Sequence, residues 1–303
     1  MRKKKSAPRK KTSRTATRPR KASGNGIKRF LWAFSVSALT SFSAASCVFN
    51  PDLREQVSFE TVLTTLGLPA QQTRAPHLVP TGAQVQTQFS QCRQFFPSGQ
   101  APVVPAGQSL RELCFSSFAI LHDGQTKTPV FVAQRLNRQM LIQARGVKRT
   151  DRFYAEARLP ARERAELADY RGSGYSRGHM APAGDMHTLE AMEQSFSLAN
   201  MVPQDQRHNG GPWNQIEQDT RHYVQRARGD VYVFTGPVYG AGATTVGEGR
   251  VAVPTHLFKV VHDVAAQRSW VHWQANSPQS KAGKPISYQE FVNRTGLQLL
   301  PVH

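Results

Sequence analysis

The stretch Tyr175-Ser176-Arg177-Gly178-His179-Met180-Ala181-Pro182 sets a guanidinium, a residue without a side chain and an imidazole side by side. A second polar cluster follows, Asn209-Gly210-Gly211-Pro212-Trp213-Asn214-Gln215-Ile216-Glu217, with Arg221 four residues further on. Together the two clusters offer a general base, a neutral oxygen ligand, a carboxylate and two guanidiniums. Phosphodiester cleavage with one hard metal ion asks for this set: an activated water, a cation against the developing charge and help for the leaving oxygen. An imidazole suits the base role because its unperturbed pKa of roughly 6.5 lies near working pH. Gly178 permits close approach of backbone and substrate. Arg177 brings a planar fork that matches phosphate oxygens.

Each residue also has an ordinary reading. Ten histidines and 22 glycines make an Arg-Gly-His adjacency easy to reach by chance. Asn209 could cap a helix N-terminus. Glu217 and Arg221, four apart, could be an exposed ion pair on a helix. If 209–217 were one continuous helix, Asn209 and Glu217 would stand about 12 Å apart along its axis and on neighbouring faces. One would then ligate the ion and the other would hold one of its waters, a few-ligand arrangement that Mg²⁺ (or Mn²⁺) favours.

The chain has 303 residues and a formal charge of +19. Residues 1–29 hold 13 of the 39 Lys and Arg and no acid, so the high pI mostly reports a tail. That tail reads as disordered. The remaining body is only mildly basic, which suits a polyanionic partner without requiring one. Phe30–Phe49 carries no charge and is long enough to cross a bilayer as a helix. With the basic flank upstream, it would leave the tail inside and export the body. It is open to several readings: a signal anchor, a signal peptide cleaved after Ser43-Ala44-Ala45-Ser46, a lipoprotein signal ending at Cys47, or part of a transit peptide. Three cysteines are too few for a disulfide scaffold or a Cys-rich zinc site. Cys92 and Cys114 either pair, if the body reaches an oxidising compartment, or stay buried thiols.

Residues 50–110, punctuated by Pro69, Pro76, Pro80, Pro97, Pro102 and Pro105, read as a linker or an arm laid over the body, with one short helix at 59–66. The compact domain is expected over 111–303. Cys114–Leu121 and Pro129–Leu136 read as strands of a hairpin turning at His122-Asp123-Gly124. Leu189–Phe196 and Pro212–Arg228 read as helices. Asp230–Phe234, ended by Thr235-Gly236-Pro237, Val251–Val264 and Trp270–Gln274 read as strands. Ser287-Tyr288-Gln289-Glu290 has capping-box spacing for a last helix, with Gly296 at its end. Interleaved helices and hairpins imply an α+β fold with an antiparallel sheet.

The segments 169–186 (DYRGSGYSRGHMAPAGDM), 196–204 (FSLANMVPQ), 208–217 (HNGGPWNQIE), 231–239 (VYVFTGPVY) and 251–260 (VAVPTHLFKV) resemble the DNA/RNA non-specific endonuclease family. This family includes secreted bacterial nucleases and the endonuclease G type. The resemblance implies the ββα-metal (His-Me finger) fold and a central antiparallel sheet flanked by helices. It implies cleavage of DNA and RNA to 5′-phosphorylated fragments with Mg²⁺. By the resemblance, His179 is the general base, Asn209 the direct Mg²⁺ ligand, and Glu217 the carboxylate that holds water on the ion. Arg177 and Arg221 lie near the scissile phosphate. A further upstream arginine of the family could be Arg135, Arg138 or Arg149. Ser176 departs from the family's usual Asp, which leaves rate and metal preference open. A protein that binds nucleic acid at the envelope without cutting it is the alternative that this departure keeps alive. Trp213 and Ile216 are expected in the core, and Asn200 and Gln204 are expected to set loop geometry.

Overall fold

The computed structural model describes residues 74–78 and 82–301. The basic tail, the uncharged segment Phe30–Phe49 and the short helix expected at 59–66 lie outside them. The described residues fall in one compact unit, Gln72–His303. The elements run β1 (Gln84–Gln86), β2 (Val103–Pro105), β3 (Leu110–Cys114), β4 (Ala119–Asp123), β5 (Thr128–Leu136), α1 (Arg138–Ala144), α2 (Leu167–Tyr170), β6 (Ser176–His179), α3 (Leu189–Ser195) and β7 (Met201–Gln204). Then come α4 (Gln206–His208), a wide turn Asn209–Trp213, α5 (Asn214–Val224), β8 (Val231–Val238), β9 (Thr245–Val246), β10 (Val251–Ala252), β11 (His256–Asp263), β12 (Arg268–Ala275) and α6 (Tyr288–Thr295).

Six strands form the central sheet in the order β12-β11-β8-β5-β4-β3. Every ladder in it is antiparallel. The side chains of a strand alternate between its two faces, and both faces here are covered. On one face Phe131, Phe234 and Phe258 meet Phe89, Phe96 and Val104 from the segment before β3, and Phe291 from α6. On the other, Val132, Ile120 and Leu257 meet Met180, Val202, Trp213 and Ile216. The second layer is a separate hairpin, β6 paired with β7, followed by α5. It is a ββα unit packed on the sheet, and the fold is the α+β fold expected.

Several boundaries differ from the sequence reading. Residues 82–110 supply fully buried aromatics, so the compact unit begins at Gln72 and not near Arg111. The Cys92–Cys114 disulfide, with Cα atoms 5.7 Å apart, ties this arm to the end of β3. The run Cys114–Leu121 is not one strand. Phe115 N donates to Phe118 O at 2.9 Å, the two rings stack at 4.5 Å, and the chain reverses from β3 into β4. In the opposite sense, Thr235-Gly236-Pro237 does not end a strand, because β8 continues to Val238. A Cβ on Gly236 would stand 2.4 Å from Val130 O and 2.7 Å from the Phe258 ring, so the glycine serves close approach within the sheet. The last helix has its expected caps: Ser287 accepts from Glu290 N, and Gly296 closes it at φ +70°.

Candidate active site

The β6–β7 hairpin presents the first cluster. Gly178 faces Val202 and His179 faces Met201 across it. A Cβ on Gly178 would fall 2.1 Å from Gln204 Oε1 and 2.6 Å from Gln204 Cβ. The missing side chain thus serves close approach to the opposite strand. Asn200 locks the base of the hairpin: its amide donates to Ala181 O and Ser195 O, and its oxygen accepts from Ala181 N.

His179 is half-buried against two aromatic rings, with centroids 5.0 Å from Phe196 and 5.9 Å from Phe153. Its Nε2 is buried without a protein partner. Burial, and then the nearby Arg149 and Arg177 charges, push its pKa down to about 3, against a smaller opposing pull from Asp151. The imidazole is thus neutral at any ordinary pH, as a proton acceptor must be. Arg177 is exposed and forms no ion pair among the described residues; its guanidinium lies 3.9 Å over the Phe153 ring. Arg149 lies 5.0 Å over Phe196. Phe153 and Phe196 themselves meet edge-on at 4.9 Å. One aromatic pair therefore carries the imidazole and two guanidiniums. Of the three arginines that the sequence left open, Arg149 is the one beside His179. Arg135 pairs with Asp230.

The second cluster begins in the wide turn. Asp205 caps α4 by accepting from Arg207 N and His208 N. Trp213 stands in the cap position of α5 without a side-chain cap bond. Asn209 is therefore not the N-cap that its ordinary reading supposes, and its side-chain amide has no hydrogen bond among the described residues. Nor is 209–217 one α-helix. Gly211, at φ −105° and ψ −107°, breaks the path between Asn209 and Glu217, so the spacing expected from a continuous helix does not apply. Such π-type turns recur at functional sites.

Glu217 makes no ion pair with Arg221. Arg221 Nη1 bonds Asp185 Oδ1 at 3.0 Å instead, which links α5 to the chain just after β6. Desolvation raises the Glu217 pKa to about 7, with Asp185 adding to the rise and Lys259 and Arg221 opposing it. The Trp213 indole N–H approaches the carboxyl but forms no hydrogen bond of normal geometry. Lys259, which sequence reasoning passed over inside 251–260, is 1% exposed, donates to Thr235 Oγ1 at 2.7 Å and lies 5.4 Å over Trp213. Its burial lowers its pKa. The available signal was a lone cation within an apolar strand, His256–Asp263.

The two clusters meet through the shared core under them, where Met180, Ala183, Phe196 and Val202 pack with Trp213 and Ile216. Arg177 and Asn209 line the same cleft, of about 650 Å³. The donors offered to a metal are one unbonded amide oxygen and one carboxylate short of compensating charge. No group of three or more His, Cys, Asp or Glu is placed to hold an ion among the described residues. An amide and a carboxylate fit a hard ion that keeps most of its waters.

The family described as DNA/RNA non-specific endonuclease matches residues 97–298. Human mitochondrial nuclease EXOG is 36% identical over 159 residues, 49% of this chain and 43% of its own. Nuclease C1 of Cunninghamella echinulata var. echinulata is 38% identical over 157 residues, 48% and 62%. Human mitochondrial endonuclease G is 35% identical over 156 residues, 48% and 52%. The aligned region thus spans about half the length of these relatives. The solved EndoG/EndoGI complex, described as showing the mechanism of EndoG inhibition, shares the fold, with a TM-score of 0.60 at 24% identity over 72% of this chain and 92% of that one. With two thirds of its length matched by the family, this chain belongs to the DNA/RNA non-specific endonucleases.

Proposed function

We propose that this protein is a Mg²⁺-dependent endonuclease that hydrolyses phosphodiester bonds in DNA and RNA, acting on the backbone and so indifferent to sequence. The observation that carries this reading is a neutral, half-buried imidazole whose Nε2 has no protein partner, set between two guanidiniums stacked on the same aromatic pair: Arg149, which also pairs with Asp151, and Arg177, which shares a cleft with the unbonded Asn209. Asn209 and Glu217 would hold the ion, Asn209 directly and Glu217 through its water. When bound, the ion supplies positive charge against the charge that builds on the phosphate and the leaving oxygen. His179 takes the proton from the attacking water. Arg177 and Arg149 bind and orient the phosphate oxygens from the aromatic pair, and Arg221, braced by Asp185, does so from α5.

Full-length wild type and His179→Ala, each with supercoiled plasmid and with RNA, in Mg²⁺ or EDTA, test this. Wild type is expected to cut both substrates only with the metal. The variant is expected to lose at least a hundredfold in rate with an unchanged melting temperature. Cutting by the variant at the wild-type rate would sink the assignment of the base. A second reading, binding without cutting, is favoured by Ser176, which leaves Arg177 with no carboxylate partner among the described residues. Salt-sensitive binding with no cleavage in Mg²⁺ or Mn²⁺ is its signature.

We also infer that the body acts outside the reducing cytosol, anchored by Phe30–Phe49 or released after it. An acid-free basic tail before an uncharged segment supports this, and so does the Cys92–Cys114 pair. The curated relatives named above include mitochondrial proteins, and no helix among the described residues is long and apolar enough to cross a membrane. Cell fractionation with alkylation of free thiols tests it: a cytosolic, fully alkylated body would refute export.

A further inference from the structure

We propose that Lys259 is a positioning residue for the reaction: its buried ammonium, standing in the sheet beneath α5, holds the Glu217 carboxyl toward the metal position. This rests on the nuclease reading above and adds to it a residue that lies outside both motif clusters. Lys259 sits in the middle of β11, opposite Thr235 of β8 on one side and His272 of β12 on the other. Leu257, two residues earlier and so on the same face of the strand, packs with Trp213 and Ile216. The face that carries Lys259 is therefore the one that α5 covers.

Two observations tie the ammonium to Glu217. The first is geometric. Nζ donates to Thr235 Oγ1 at 2.7 Å and lies 5.4 Å over the Trp213 ring, within reach of a cation–π contact. Trp213 has helical backbone angles, φ −68° and ψ −47°, and Glu217 follows it by four residues on α5. Positions i and i+4 of a helix are neighbours on one face. The ring that rests on the ammonium thus stands next to the carboxyl, and its indole N–H approaches that carboxyl.

The second observation is electrostatic and runs both ways. Of the charges acting on Glu217, that of Lys259 is the strongest, ahead of Asp185 and Arg221. Of those acting on Lys259, that of Glu217 is the strongest, ahead of Asp185 and Arg221. Arg221 bonds Asp185 at 3.0 Å, which leaves Lys259 as the counter-charge to Glu217. An ammonium taken out of water is costly unless nearby charge compensates it. A methionine of similar length would fill the same space without that cost, so packing alone does not ask for a lysine here. Lys259 lines no part of the cleft that Arg177 and Asn209 share. It acts from behind the carboxyl, so its repulsion of an ion in front of that carboxyl is the weaker effect. Without the ammonium, the carboxyl loses the charge that draws it to the sheet and turns to water.

The test is a double-mutant cycle between Lys259→Met, which keeps the bulk and removes the charge, and Glu217→Gln. Full-chain wild type, both single variants and the double variant are compared in two readouts. The first is Mn²⁺ binding without nucleic acid, followed by electron paramagnetic resonance. Lys259→Met is expected to weaken it about three- to tenfold in the wild-type background and to change nothing further once Glu217 is replaced. The second is melting at pH 8 in EDTA. Each single variant is expected to lower the melting temperature by about 4 °C or more, and the double variant to lose clearly less than the two losses together, because a lone buried charge costs more than a neutral pair. A purely structural lysine would weaken Mn²⁺ binding by the same factor in both backgrounds. That additivity would overturn the proposal, and so would Mn²⁺ binding that Lys259→Met leaves unchanged. Should Lys259→Met fail to fold, Thr235→Val removes the hydroxyl that Nζ bonds and keeps the shape. Its expected effect on Mn²⁺ binding, about two- to threefold, must likewise vanish beside Glu217→Gln, and its persistence there refutes the link. If wild type binds no Mn²⁺, the metal-dependent reading fails on its own. The metal-free melting cycle then decides the link: coupled losses support it, and additive losses refute it.

Discussion

His179 and Arg177 owe their setting to Phe153 and Phe196, two residues without polar atoms that the motif-based reading gave no role. Among the described residues Arg177 has no acidic partner, so its direction is set by the ring 3.9 Å beneath it. A cation over an aromatic face gains about 0.5–2 kcal/mol, more as water is excluded. Phe153→Leu keeps apolar bulk and removes the quadrupole. It is expected to lower kcat/KM about three- to thirtyfold, with Phe153→Tyr restoring most of it, while the melting temperature changes far less than for a core truncation such as Phe131→Ala. If Phe153→Leu and wild type had the same kcat and the same KM, the ring would be packing only. The chemically loaded residues were legible because His179, Asn209 and Glu217 stand in recognisable order. Phe153 and Lys259 were not, because their importance comes from what they lie under. Lys259 gains its meaning from Thr235, Trp213, Glu217 and Asp185, four positions far apart in the chain.

The hairpin of β6 and β7 is held in register by the fit between Gly178 and Gln204. Gly178→Ala puts a methyl carbon where Gln204 Oε1 and Cβ now stand, and one side chain or one strand must move. Overpacking of this kind costs about 1–3 kcal/mol. The expected result is a melting temperature lower by several degrees and a loss of activity larger than that instability explains, since His179 is the next residue. Pairing with Gln204→Ala should recover part of both. An unchanged melting temperature and rate in Gly178→Ala would show that the strands have slack there. Elements with a local signal were read correctly: α6 between Ser287 and Gly296, and α3, whose Thr188 accepts from Ala191 N. The failures have physical causes. The Phe115–Phe118 reversal uses serines and no Gly or Pro, so its sequence looks like uninterrupted strand. Gly236-Pro237 looks like a stop, yet continues because the sheet needs a position without a side chain. The turn at Asn209–Trp213 leaves the α path at Gly211, which no helical spacing argument could anticipate.

At the scale of the whole molecule, the arm before β3 shows why the domain boundary was misplaced. Its prolines suggested irregular chain, but it carries the paired strands β1 and β2, Phe89 and Phe96 enter the core of the sheet, and a disulfide ties the arm to β3. Long-range burial of this sort also decides how the protein responds to acid. Among the described residues six histidines have lowered pKa values, in every case chiefly through burial: His122, His179, His187, His208, His256 and His272. His179 falls to about 3, and His208 and His272 to about 4. In the unfolded chain each would take up a proton near pH 6.5. Between that pH and the folded values the unfolded state binds more protons, so stability rises with pH there. The stabilisation is complete above about pH 6.5 and is lost as the pH falls towards 4. His208, which is 1% exposed, contributes up to about 1.4 kcal/mol per pH unit across that window. Glu217 acts in the opposite sense: its folded pKa is raised to about 7, so it favours the folded state as the pH drops, but it is one group against six. Metal-free protein is therefore expected to melt at a clearly lower temperature at pH 5 than at pH 7, followed by circular dichroism in EDTA. His208→Gln should lessen that difference. A melting temperature that is flat or rises from pH 7 to pH 5 would mean that these imidazoles are hydrated in the folded protein, and that the neutral, pre-set state of His179 is not maintained by burial.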